Sequence, residues 1–104
     1  MPKSIADVST IDDLRQFVRE TICTQRELLL AACQFKESML VRSGRPWGLH
    51  FSVGGPRAVK YTAIWDVTRG SILFYECNGG RFLRIDLTAC TELEDELAEL
   101  MTAA

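Results

Sequence analysis

Few residues in this chain could carry covalent chemistry, and they are scattered. There is one histidine, His50, and there are four cysteines, Cys23, Cys33, Cys77 and Cys90. A Cys–His nucleophile needs the two side by side with a third group to orient the ring. The strand pattern described below sets Cys77 on the other side of a sheet from His50, and the only asparagine, Asn78, falls in a turn. No two cysteines form a C-x-x-C pair, so the close ligand pairs typical of zinc are missing. The cysteines read as small buried hydrophobes. Adjacent carboxylates occur only in helical segments, at Asp12-Asp13 and from Glu92 to Glu99. Acid–base pairs should converge from different elements across a cleft, so these read as solvated helix faces. Hence no catalytic residue, metal ligand or cofactor is assigned, and the reading leans away from an enzyme.

Neither dinucleotide nor P-loop phosphate motif is present. Two turns do join glycines to an arginine: Gly54-Gly55-Pro56-Arg57 and Asn78-Gly79-Gly80-Arg81. In a meander they lie at the same end, which makes Arg57 and Arg81 candidates for a shared anion site.

The elements that must position these residues centre on residues 47–87. Short apolar and β-branched runs alternate there with Gly-bearing turns, the pattern of an antiparallel meander. Trp47, Leu49, Phe51 and Val53 alternate with Gly48, His50 and Ser52; Tyr61, Ala63 and Trp65 alternate with Thr62, Ile64 and Asp66. A three-residue loop, Thr68-Arg69-Gly70, sets Trp65 opposite Leu73 and Ala63 opposite Tyr75. A three-residue loop at Asn78-Gly79-Gly80 sets Tyr75 opposite Leu83 and Leu73 opposite Ile85. The two-residue alternative sets Leu73 opposite Arg84, which would drive that arginine into the core. This register predicts an apolar face of Trp47, Leu49, Phe51, Tyr61, Ala63, Trp65, Leu73, Tyr75, Leu83 and Ile85. The other face is mixed: His50, Ser52, Lys60, Thr62, Ile64, Phe74, Glu76, Phe82 and Arg84.

Around the meander, Ser9 or Thr10 can cap a helix whose apolar positions Ile11, Leu14, Val18, Ile22, Leu28 and Leu29 keep helical spacing. Thr24 with Glu27 resembles a capping box inside this run, marking a kink or a second start. Met39–Arg42 reads as a first strand, with Ser43-Gly44 as a turn; residues 35–43 could instead continue the helix. Thr91 with Glu94 opens a last helix whose stripe is Leu93, Leu97, Leu100 and Met101. The chain is therefore expected to be α+β, with a long N-terminal helix, a four- to five-stranded antiparallel meander and a short acidic C-terminal helix. As a single domain over residues 1–104, it divides into a flexible lead-in (1–9), helix (10–34), sheet (38–87) and helix (91–102).

Charge is unevenly spread. Residues 36–84 carry eight basic and three acidic side chains, whereas 85–104 carry no basic and six acidic ones. No apolar run approaches the roughly 18 residues of a membrane span. The start, MPKSIADVST, lacks the apolar core of a secretion signal, so the cytoplasm is the expected compartment and no membrane is expected as partner.

The mixed face is the best functional lead. Apolar side chains among charges mark a surface for a partner. The expected function is a small non-enzymatic binding or adaptor module using His50, Lys60, Ile64, Phe74, Phe82 and Arg84. Its partner would be another protein or a second copy, giving a homodimer, unless the last helix itself lies over that face. One alternative is an enzyme or ligand-binding domain with a small anion near Arg57 and Arg81. A second is a weak single-stranded nucleic-acid binder that stacks bases on Phe74 and Phe82 beside Lys60 and Arg84, which ranks below the others.

Overall fold

The computed structural model describes residues 5–6, 8, 10–87 and 91–103. It shows an N-terminal helix, five antiparallel strands in one sheet and a short C-terminal helix, an α+β fold. In chain order the elements are β1 (Ile5–Ala6), α1 (Ile11–Gln25), β2 (Gln34–Arg42), β3 (Arg45–Gly54), β4 (Lys60–Asp66), β5 (Ser71–Tyr75), β6 (Arg81–Leu87) and α2 (Thr91–Ala103). The sheet order is β1-β6-β5-β4-β3-β2. β1, within the expected lead-in, pairs parallel to β6 through Ile5 opposite Asp86 and Ala6 opposite Leu87.

α1 starts where the sequence places it. The Thr10 hydroxyl accepts a hydrogen bond from the Asp13 amide at 3.0 Å, and Asp12 and Asp13 occupy the first turn, where the helix dipole favours negative charge. Glu96 of α2 accepts from the Ile11 amide at 3.1 Å, so the second helix satisfies another free donor of the first. Ile11, Leu14, Val18 and Ile22 form the buried stripe.

The helix ends at Gln25 rather than near residue 34. Arg26 caps it, Glu27 turns left-handed (φ 54°), and the Leu28 amide donates to the Cys23 carbonyl at 2.8 Å. That is the Schellman closure, with glutamate where glycine usually sits. A 3-10 turn, Leu30–Ala32, leads into β2, which begins at Gln34 rather than 38. Ser43 and Gly44 both have positive φ (53° and 77°), the conformation of a type I′ hairpin turn joining β2 to β3.

Both helices lie on the same face of the sheet. Leu93 and Leu97 of α2 share one core with Leu14 and Val18 of α1 and with Leu49, Phe51, Ala63, Trp65, Ile72, Phe74 and Ile85 of the strands. The last helix therefore does not cross the mixed face. Cys90 and the side chains of Thr91 and Met101 lie outside those described, and with them the expected capping box of Thr91 with Glu94.

The register of β5 differs from expectation by one residue. Trp65 faces Ile72, Ala63 faces Phe74 and Ile64 faces Leu73. The cause is the loop. The Gly70 amide bonds back to the Asp66 carbonyl at 2.8 Å, and the Val67 amide donates to Trp47 of β3 at 2.9 Å, so Val67 joins the loop instead of pairing with Ser71. Ile72 and Phe74 then point inward, both fully buried, and the Tyr75 hydroxyl is spared a core position in which it would need a partner. With Leu73 turned outward, Leu73 opposite Arg84 is the observed pairing, and the arginine stays exposed. A register shift after Phe74 puts Tyr75 opposite Arg81 and leaves Phe82 as the extra residue of a bulge.

Candidate functional site

The face of the sheet away from the helices can be read from the cross-strand pairs. One row runs Ser38, His50, Ile64, Leu73, Arg84 across β2, β3, β4, β5 and β6. A second runs Lys36, Ser52, Thr62, Tyr75, Arg81, and a third begins Leu40, Gly48, Asp66, Ser71, Asp86. His50, Ile64, Leu73, Tyr75 and Leu40 are half-buried by their strand neighbours and covered by neither helix.

His50, Lys60, Ile64 and Arg84 thus share this open face, as the alternation required. Phe74 and Phe82 do not. Phe74 is fully buried under the helices. The bulge turns Phe82 toward the same side, where its ring lies 6.2 Å from Phe74 and 6.4 Å, edge to face, from Tyr61. The Arg26 guanidinium, at the end of α1, lies 4.0 Å above the Phe82 ring and 3.4 Å from Glu76. These aromatics are a lid on the core rather than a stacking platform. Glu76 likewise belongs to that side, through its ion pair.

The residues missed from sequence are Lys36, Leu40, Leu73 and Tyr75. Leu73 and Tyr75 follow from the one-residue slip. Lys36 was legible in the alternation of Gln34, Lys36 and Ser38 with Phe35 and Met39, hidden because the run follows a helix with no glycine between.

Charge on the open face is asymmetric. Arg84 bonds Asp86 at 3.0 Å, and Asp66 lies 3.7 Å from Arg69. At the other end Lys36, Lys60 and Arg81 have no carboxylate within ion-pair distance among the described residues. Two shallow depressions adjoin there and share Lys60. One, of about 390 Å³, is lined by Gln34, Lys36, Ser52, Gly54 and Lys60 among others. The other, of about 420 Å³, has Thr62, Ile64, Tyr75, Glu76 and Cys77 in its wall, so one carboxylate, already paired with Arg26, borders it. Neither includes Arg57 or Arg81. Arg57 sits exposed in the turn Pro56–Ala58 with φ 63°, and Arg81 is exposed at the start of β6.

The cysteines divide by environment. Burial first, then the neighbouring Cys33, pushes the Cys23 thiol up to about 11. Cys33 donates to the Leu29 carbonyl at 3.3 Å, Cys77 is exposed, and Cys90 lies outside the described residues. A thiol that ionises so late and lies buried is a poor nucleophile near neutrality. Under native conditions a maleimide should therefore label Cys77 rapidly and Cys23 only on unfolding. Peptide mapping after timed labelling checks this, and fast labelling of Cys23 would contradict the packing. Among the described residues no three His, Cys, Asp or Glu side chains gather as a metal set, and no helix is long and apolar enough to cross a membrane.

In comparison with known proteins, the chain matches no family model, no curated protein and no solved structure.

Proposed function

We propose that the chain is a non-enzymatic binding module that takes a protein segment on the open face of its sheet. The observation that carries this reading is the placement of both helices on one side. It leaves Ile64, Leu73 and Tyr75 uncovered by either helix, beside three cations, Lys36, Lys60 and Arg81, that have no carboxylate within ion-pair distance among the described residues. The complementary partner presents apolar side chains flanked by Asp or Glu. Carboxylates then meet the basic end, and apolar groups remove Leu73 and Tyr75 from water at roughly 25 cal/mol per Å². Free thiols at Cys23, Cys33 and Cys77 fit the reducing conditions of the cytoplasm, where we place the protein.

Selection from a displayed random-peptide library tests the reading. The folded protein should enrich sequences that combine Leu, Ile or Phe with Asp or Glu. Leu73→Asp should abolish their binding, because a carboxylate placed at the centre of the face repels the selected acids and cannot be desolvated. Lys36→Glu with Lys60→Glu should weaken binding at least tenfold. Selected peptides that tolerate Leu73→Asp would overturn the assignment. So would binding of single-stranded oligonucleotides, but not peptides, with steep salt dependence.

A further inference from the structure

The two edges of this sheet are not alike. At one edge the two-residue strand β1 pairs with the last two residues of β6, Asp86 and Leu87, and so shortens the edge that β6 presents. At the other, β2 runs for nine residues, Gln34–Arg42, without proline, and among the described residues pairs only with β3. α1 also holds β2 in place. Arg15 donates to Glu37 from Nε at 2.7 Å and from Nη2 at 3.0 Å, and the Arg19 guanidinium lies 4.9 Å over the Phe35 ring. The outer edge is therefore an ordered row of backbone donors and acceptors. Near its ends stand the largest exposed apolar side chains among the described residues: Leu29 (76% exposed) and Leu30 (49%) just before β2, and Val41 (47%) within it.

We propose that two copies of this chain join antiparallel through their β2 edges, with Ser38 opposite Ser38 of the second copy. The homodimer expected from the sequence rested on the mixed face; the edge supplies a different basis, independent of what binds that face. Antiparallel neighbours standing opposite each other lie on the same face, so only registers centred on a residue are allowed. Three of these keep most of the strand paired. Centring on Glu37 sets that carboxylate against its own copy. Centring on Met39 sets Lys36 against Arg42. Both place like charges directly opposite, which destabilises a pair. Centring on Ser38 gives Glu37 opposite Met39, Lys36 opposite Leu40, Phe35 opposite Val41 and Gln34 opposite Arg42. No like charges meet, and the exposed Val41 gains the Phe35 ring as neighbour. The axis through Ser38 is perpendicular to the sheet, so both open faces lie on the same side of one continuous sheet. Because the pairing is isologous, it uses the β2 edge of both copies and closes at two.

Sedimentation equilibrium tests this. Wild type should show twice the 11.7 kDa of the chain. Ser38 is exposed, so Ser38→Lys and Ser38→Glu should both remain folded by circular dichroism while each falls to the single-chain mass. An equimolar mixture of the two should recover the doubled mass, since Lys then faces Glu; this rescue occurs only if residue 38 meets its own copy. Leu73→Asp, which abolishes peptide binding on the open face, should leave the mass doubled. A wild-type mass of 11.7 kDa up to high protein concentration overturns the proposal. A doubled mass that Ser38→Lys leaves intact, a charge-swapped mixture that stays monomeric, or a mass halved by Leu73→Asp does the same.

Discussion

Phe74→Ala should lose about 3–5 kcal/mol of folding stability, while Tyr75→Ala, one residue along, should lose about 1 kcal/mol. Phe74 is fully buried in the middle of the sheet, opposite Ala63 on one side and Leu83 on the other, with Phe82 6.2 Å away. Truncation removes the transfer free energy of the ring. It also leaves a cavity that two flanking strands and two overlying helices cannot collapse. Tyr75 is only partly buried, on the open face. Urea unfolding of the two variants against wild type checks the difference. Comparable losses, or a larger loss at Tyr75, would mean that β5 is turned the other way and that the face assigned to binding is wrong.

Gly48→Ala should be nearly as damaging, about 3 kcal/mol, although it adds a single methyl group. A Cβ at this position would stand 2.0 Å from the Trp65 carbonyl oxygen, a backbone atom that no side-chain rotation can move aside. Room could come only from separating β3 and β4, next to the register shift where β2 passes from Leu40 opposite Gly48 to Val41 opposite Pro46. Gly54→Ala is the control. A Cβ there meets nothing within 4 Å and its backbone needs no positive φ, so the change should be neutral or stabilising by up to about 1 kcal/mol. Thermal melts of the two variants decide it, and a Gly48→Ala protein as stable as wild type would refute the close approach of the strands.

The substitution at Phe74 probes the part of the molecule where local pattern was least informative. Strand β5 reads Ser-Ile-Leu-Phe-Tyr, and either alternate set puts apolar groups inward. Loop length was the only local guide, and it failed because the Val67 amide finds its acceptor at Trp47, a residue 20 positions away in sequence. The slip then propagated. With Leu73 taken as inward, the pairing of Leu73 with Arg84 looked impossible, and the next loop was assigned a register to avoid it. Six of the nine residues read as the mixed face still lie on the open face, because β3 and β4 carry an alternation too regular to invert. Phe74, Phe82 and Glu76 left it.

The chain's own chemistry determined the α+β class, the start of α1 at Thr10, the Ser43-Gly44 turn, the β3 and β4 alternation and the position of α2 in sequence. Each of these rests on a cap, a glycine or a period that acts within a few residues. Tertiary structure alone decided where α1 stops, because Glu27 adopts a left-handed cap that only the surrounding packing makes worthwhile for a residue other than glycine. It also decided which side of β5 is dry and which face α2 covers. An apolar stripe states that a surface must be buried, but the partner that buries it is chosen by the whole fold. That choice is why one side of this sheet stays open.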